Sequence, residues 1–249
     1  MPGERVSTFE QDDAQMVYTE SGVETGDAFV LVHGIGMGHR VFRDLAEELG
    51  KAGRVYAVDL PGFGDSPEPG SAHSMQVSGD FLAAFVLSLP VLKPVLVGHS
   101  MGTEVVTEAV VRHPEISDRI VLIAPTVNIH ERRALLQGWR MIQDLAGESP
   151  KVFVLGMIQY AKTGPLWFIR KLRIMLDHEV ELSYPKVQAS ALVLRGATDR
   201  VCPAEWVEQV AELIPRSIMR EIPDRGHEAM ISAAQPVASM ILEHAAANG

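Results

Sequence analysis

The chain is predicted to be an α/β protein built on a mostly parallel sheet, and three observations carry that prediction. Short apolar runs recur along the sequence, they are apolar at successive rather than alternate positions, and patterns with helical spacing separate them. A strand covered on both faces needs apolar side chains on both, so continuous runs point to a parallel sheet lying under helices. The runs are 28–33 (AFVLVH), 54–59 (RVYAVD), 94–99 (PVLVGH), 119–124 (RIVLIA) and 191–196 (ALVLRG). Helical patterns occupy 41–51, 75–89, 102–113, 204–214 and 228–246, and this alternation places helices on both sheet faces. Segments 5–10 and 15–20 alternate polar and apolar residues and read as an antiparallel edge pair. Segment 217–222 (SIMREI) is a further strand candidate before the last helix.

The stretch from 125 to about 185 breaks this rhythm. It has no β-branched run at strand spacing, but carries helix-forming sequence with Trp139, Met141, Phe153, Met157, Tyr160, Trp167, Phe168 and Met175. It holds eight Lys and Arg against six Asp and Glu, in a chain whose formal charge is −10. Such an insert after a buried strand is suited to cover the carboxyl edge of the sheet, where open α/β folds bind ligands. The same pattern also fits a second packing layer.

Composition narrows the function classes. With 249 residues, 47% hydrophobic and 22% charged, the chain is long enough for a sizeable core and has ordinary globular composition. Its 32 acidic against 22 basic residues repel phosphate backbones and anionic lipid, so no nucleic-acid partner is expected. The single cysteine, Cys202, can form neither an internal disulfide nor a thiolate metal site. The polar first residues predict no secretion signal, and no apolar run approaches the roughly 18 residues of a membrane span. These features predict a cytoplasmic protein acting on a small molecule, with no stable membrane insertion. They leave its oligomeric state open.

The sharpest local feature is Gly98-His99-Ser100-Met101-Gly102, between a strand and a helix. A serine at the tip of a tight strand-to-helix turn needs small residues two positions away on either side, where side chains would collide. The turn exposes the hydroxyl and aims the helix N-terminus at it, so the Met101 N–H can donate to a developing oxyanion. A nucleophilic serine needs a base, and the base needs an orienting acid. His227 follows the 217–222 strand in a turn-rich loop, and Asp199 follows the strand 191–196, so both lie at strand ends. His39, His73, His113, His130, His178 and His244 fall in helical or surface stretches and are expected to be solvated, and His99 to serve packing. The loop His33-Gly34-Ile35-Gly36-Met37-Gly38 has the glycines to turn backbone N–H groups toward a ligand, with Ile35 N–H the second oxyanion donor and His33 a brace. Its glycine spacing does not match a dinucleotide loop. No His, Asp or Glu cluster has metal-ligand spacing along the chain.

Five motifs in order resemble the α/β-hydrolase superfamily: His33-Gly34, the segment 59–66 (DLPGFGDS), GHSMG, the G-x-x-D-x-x-x-P of 196–203, and Gly226-His227. The resemblance spans essentially the whole chain. It implies an α/β-hydrolase fold with a mostly parallel eight-stranded sheet flanked by helices. It also implies a helical cap inserted after the sixth strand, with 1–124 and 187–249 as core and 125–186 as cap. Ser100, Asp199 and His227 become the catalytic triad, and no cofactor is required. Thr103 departs from the second glycine many relatives carry, and a local packing difference is expected there. Serine at 100 argues against the dehalogenase and epoxide-hydrolase branches, which use aspartate. Carbon–carbon hydrolases of ring-cleavage products resemble the chain but usually carry tryptophan after the histidine and asparagine before the serine, where Glu228 and His99 stand. Perhydrolases of this fold generally lack so large a cap. The leading expectation is hydrolysis of a small or medium apolar carboxylic ester, thioester or lactone through an acyl-enzyme. A carbon–carbon hydrolase is second, and a receptor-like binder with little turnover is third. Gly34, Met37, Trp139, Met157 and Trp167 are the expected substrate contacts, while arginines of the insert offer a site for a substrate carboxylate instead.

Overall fold

The computed structural model describes residues 4–129, 132, 140 and 163–248. Eight strands form one sheet: β1 (Arg5–Gln11), β2 (Ala14–Gly22), β3 (Asp27–Val32), β4 (Gly53–Asp59), β5 (Val95–His99), β6 (Arg119–Ile123), β7 (Ser190–Gly196) and β8 (Ser217–Ile222). Their order across the sheet is β1-β2-β4-β3-β5-β6-β7-β8. β1 and β2 pair antiparallel, as their alternating pattern predicts, and β2 joins β4 antiparallel. Every neighbour from β4 through β8 is parallel. The continuous apolar runs become the sheet interior: β5 is buried at every position, and β3, β6 and β7 at all but the first. β8, at the sheet edge, exposes Ile218, Arg220 and Glu221 and buries only Ile222.

The helices are α1 (Arg43–Leu49), α2 (Met75–Ser88), α3 (Met101–Arg112), α4 (Pro165–Asp177), α5 (Ala204–Leu213), α6 (Ala229–Ser232) and α7 (Ala234–Ala247). From β3 the chain steps one way to β4 and then back across β3 to β5. Right-handed crossovers therefore put α1 and α2 on opposite sheet faces. α1 packs on α7, and α2 packs on α3. Two helices differ from the sequence expectation. The 41–51 pattern splits into a 3-10 turn at His39–Phe42 followed by α1. The 228–246 pattern breaks at Ala233 into α6 and α7, because the Pro236 ring would collide with the Ser232 carbonyl in a continuous helix.

Between β6 and β7, the described part of the insert holds α4 and two 3-10 turns, Val180–Leu182 and Tyr184–Lys186. α4 buries Trp167, Lys171 and Met175, spaced four residues apart on one face. Trp139, Met157 and most of residues 130–162 lie outside the described residues. The reversal of strand order places the carboxyl ends of β3 and β5 side by side, and a ligand crevice in an open α/β sheet opens at such a point.

Candidate active site

Ser100 caps α3 directly after β5, with φ 52° and ψ −122°. A non-glycine residue adopts such a backbone only where its surroundings over-determine it. Here Ser100 N–H donates to Ile123 O at 3.0 Å, and Ser100 O accepts from Thr103 N–H at 2.9 Å and Thr103 Oγ1 at 2.6 Å. The Thr103 departure is thus a second bond closing the turn. Both flanking glycines are sterically required. A Cβ on Gly98 would lie 2.4 Å from Gly102 O, and one on Gly102 would lie 2.2 Å from Val32 O.

Asp199 and His227 meet behind this elbow. Both are buried, and His227 Nδ1 lies 3.0 Å from Asp199 Oδ2. Asp199 Oδ1 accepts from Val201 N–H at 2.8 Å and Cys202 N–H at 2.9 Å, so the carboxylate is held from both sides. With Nδ1 turned to the acid, Nε2 is the nitrogen able to take a proton. Burial pulls the His227 pKa down, but the charge and hydrogen bond of Asp199 outweigh it and hold the imidazole well above its usual value. The two loops interlock: Thr198 N–H donates to Arg225 O at 2.9 Å, and a Cβ on Gly196 would lie 2.2 Å from the carbonyls of Arg225 and Gly226.

The expected oxyanion donors occupy the adjoining strand ends. Met101 is the first residue of α3, where amides lack intrahelical partners, and Ile35 lies in the loop after β3. Gly34 backs onto the elbow, since a Cβ there would lie 2.9 Å from Ser100 Cβ. Met37 is buried in the same core cluster. His33 braces this loop, accepting from Leu60 N–H at 3.0 Å on Nε2, which leaves Nδ1–H to donate to Gly34 O at 2.7 Å. Trp167 lies against the 59–66 loop, its Cε2 2.2 Å from where a Gly62 Cβ would be.

Several residues have roles that sequence reasoning missed. His99 does more than pack: its Nε2 donates to the His227 carbonyl at 3.1 Å and ties the elbow to the histidine loop. Arg195 is a buried guanidinium inside β7, donating through Nε to Cys202 O and through Nη2 to Asp199 O, each at 3.2 Å. It clamps both sides of the Asp199 turn, and its signal was a charge within an otherwise apolar strand. His39, His178 and His244 are not solvated as expected. They face Asp59 at 2.9 Å, Glu108 at 3.3 Å and Ser190 O at 3.1 Å respectively. Among the described residues, folding also gathers His99–His227–Glu228, Asp199–Cys202–His227 and His39–Asp59–Asp65, groups that linear spacing does not reveal. In the last of these, Asp59 already accepts from His39 N–H, the His39 ring and Asp65 N–H.

A match to the Alpha/beta hydrolase family spans residues 29–240. The chain belongs to this family. Among curated relatives, this hydrolase is similar to the AB hydrolase superfamily protein YisY of Bacillus subtilis, 23% identical over 88% of this chain and 91% of that protein. It is likewise similar to the pimeloyl-[acyl-carrier protein] methyl ester esterase of Chromobacterium violaceum, 24% identical over 88% of this chain and 94% of the relative. The fold is shared with a thermophilic esterase from Thermogutta terrifontis at a TM-score of 0.82, with 23% identity over 96% of this chain and 97% of that one. Among the described residues, no helix of the hydrolase is long and apolar enough to cross a membrane.

Proposed function

We propose that this α/β-hydrolase cleaves a small or medium, largely apolar carboxylic ester through an acyl-enzyme on Ser100. The observation that carries the reading is the strained Ser100 elbow at the head of α3, joined through His99 to a buried Asp199–His227 pair. Ester hydrolysis is also the activity named for the Chromobacterium violaceum relative. Ser100 Oγ attacks the carbonyl carbon while His227 Nε2 takes its proton, and the carbonyl electron pair becomes an oxyanion facing the Ile35 and Met101 N–H groups. Collapse breaks the bond to the alcohol, which leaves with the proton from His227. Water, deprotonated by the same imidazole, then frees the acid and restores Ser100. Asp199 holds the tautomer, and Arg195 and His99 hold the two loops. We assign the described part of the 125–186 insert to a lid over this site, with Gly34 and Met37 on the acyl side and Trp167 seating its helix; Trp139 and Met157 lie outside the described residues. A cytoplasmic location suits this small-molecule chemistry.

A chromogenic ester series with phosphonate labelling tests the reading. Turnover together with stoichiometric labelling at Ser100 supports it, and labelling elsewhere refutes the nucleophile.

A pH profile tests the pair. Only neutral His227 can act as base, so kcat/KM is expected to rise with pH through a pKa above 6.5. Asp199→Asn should move that limb to lower pH, because the acid's charge no longer offsets burial, and should cut kcat by about 10⁴-fold through loss of the tautomer. By linkage, the raised His227 pKa stabilises the fold fully below about pH 6.5, and the contribution fades as pH rises through the folded-state pKa. An unchanged limb in Asp199→Asn would refute this coupling. Because the proposed steps use only protein side chains, backbone N–H groups and water, EDTA should leave turnover unchanged; loss reversed by added metal would contradict that.

A further inference from the structure

One helical turn past Ser100, α3 buries a group that ester cleavage does not use. Glu104 is fully buried, and neither of its carboxyl oxygens has a hydrogen-bond partner among the described residues. Thr107 Oγ1 on the same helix and Tyr184 Oη on the 3-10 turn beyond α4 are fully buried and unpartnered as well. These groups are neighbours. Glu104 and Thr107 lie one turn apart on α3, and Ser183, the residue before Tyr184, donates to Glu108 of that helix at 2.5 Å. The Tyr184 ring lies 6.5 Å from that of Trp206, whose Nε1 donates to Pro125 O together with Cys202 Sγ, and Cys202 Sγ lies 3.9 Å from His227 Nδ1, so the cluster reaches the acid–histidine pair. Glu104 lies in the first turn of α3, the helix that Ser100 caps.

Other polar groups around the cluster are engaged. Lys171 Nζ donates to His73 O at 2.9 Å, with Ser78 Oγ at 3.4 Å. Glu108 accepts from Ser183 Oγ at 2.5 Å, and Glu181 pairs with Arg132. A buried polar atom without a partner opposes folding, and several converging at one place call for a shared explanation. Leucine at 104 would avoid the penalty, so the chain keeps a carboxyl there at a cost to its own stability.

We propose that Glu104, Thr107 and Tyr184 form a polar subsite that receives an uncharged donor–acceptor group, a carboxamide or hydroxyl, at the far end of the substrate's acyl chain. This deepens the esterase reading and rests on Ser100 being the nucleophile. Burial pushes the Glu104 pKa well above the usual carboxylate range, against the opposing pull of Arg132 and Lys171. A carboxyl that keeps its proton offers one donor and one acceptor, and the Tyr184 and Thr107 hydroxyls offer the same. A carboxamide matches that set. A substrate carboxylate would meet Glu104 beside Glu108 and Glu181.

The test measures binding independently of turnover. Two non-hydrolysable aryl ketones carry the acyl chains of adipic monoamide and of its apolar isostere, 6-methylheptanoic acid. Titration calorimetry on the wild-type protein should show the amide-tipped ketone binding at least tenfold more tightly. Glu104→Leu should bring that ratio to one or below, and Tyr184→Phe, which removes only a hydroxyl, should reduce it severalfold. A urea melt confirms that each variant is folded. Equal or undetectable binding of both ketones overturns the subsite, as does a ratio unchanged in both variants. Tighter binding of a carboxylate-tipped ketone overturns its uncharged character. Retained amide preference without any ester turnover would sink the esterase reading and leave the subsite standing.

Discussion

Ser100→Ala is expected to lower kcat for a chromogenic ester by about 10⁶-fold, the scale on which a triad serine acts when its partners remain in place. The loss should fall on kcat, because the hydroxyl is used in bond formation and adds little to binding the ester. It should also abolish phosphonate labelling. The fold should survive, since the turn is held by backbone bonds from Ser100 N–H and to Ser100 O, and alanine keeps both. A urea melt within about 0.5–1 kcal/mol of wild type would agree with that view, given the modest size of single-atom changes away from core packing. An Ala variant that retains near wild-type turnover would remove Ser100 from the mechanism. Residual activity of about 10³–10⁴ over water is compatible with the oxyanion donors acting alone.

Trp167→Ala is expected to destabilise the fold by about 3–5 kcal/mol, as for other buried large aromatics cut to alanine. Trp167 is only 3% exposed, and its indole rests on Gly62, whose φ of 82° lets the loop after β4 present bare backbone to the ring. That loop is itself rigid: Asp59 accepts from His39 and Asp65 N–H groups, and Ser66 Oγ donates to Asp59 O at 2.6 Å. The tryptophan therefore anchors α4 to a fixed seat on the sheet edge. Melts should be run beside kcat/KM for a short and a long ester. A large loss of stability with an unchanged ester ratio assigns Trp167 to anchoring. An unchanged melt with an altered ratio assigns it to the pocket wall.

Some elements were legible in the sequence because their constraint is local. The five parallel runs were read correctly because burial on both faces demands apolarity at every position. The elbow was legible for a similar reason: Gly98 and Gly102 bracket Ser100 where backbone approaches within the space of a Cβ. The C-terminal helix was read too long, although Pro236 stood in plain view as the cause of the break. Fixed histidines were misjudged because solvation depends on neighbours that linear sequence does not place. His178, at the end of α4, is buried against Glu108 from a helix seventy residues earlier.

The sequence by itself determined the strand set, the tight turn at Ser100 and the chain positions of an acid and a histidine at strand ends. Each follows from interactions within a few residues, where backbone geometry leaves little choice. Only the tertiary structure decided that Asp199 and His227 meet, that Arg195 clamps the acid's loop, and that His99 reaches the histidine's carbonyl. It alone decided that Glu104 would be buried with no hydrogen-bond partner among the described residues, one turn from the nucleophile. The physical reason is that burial and pairing are properties of the space between elements. A charged side chain reads the same in sequence whether water or another helix lies beside it, and its energetics differ completely between the two.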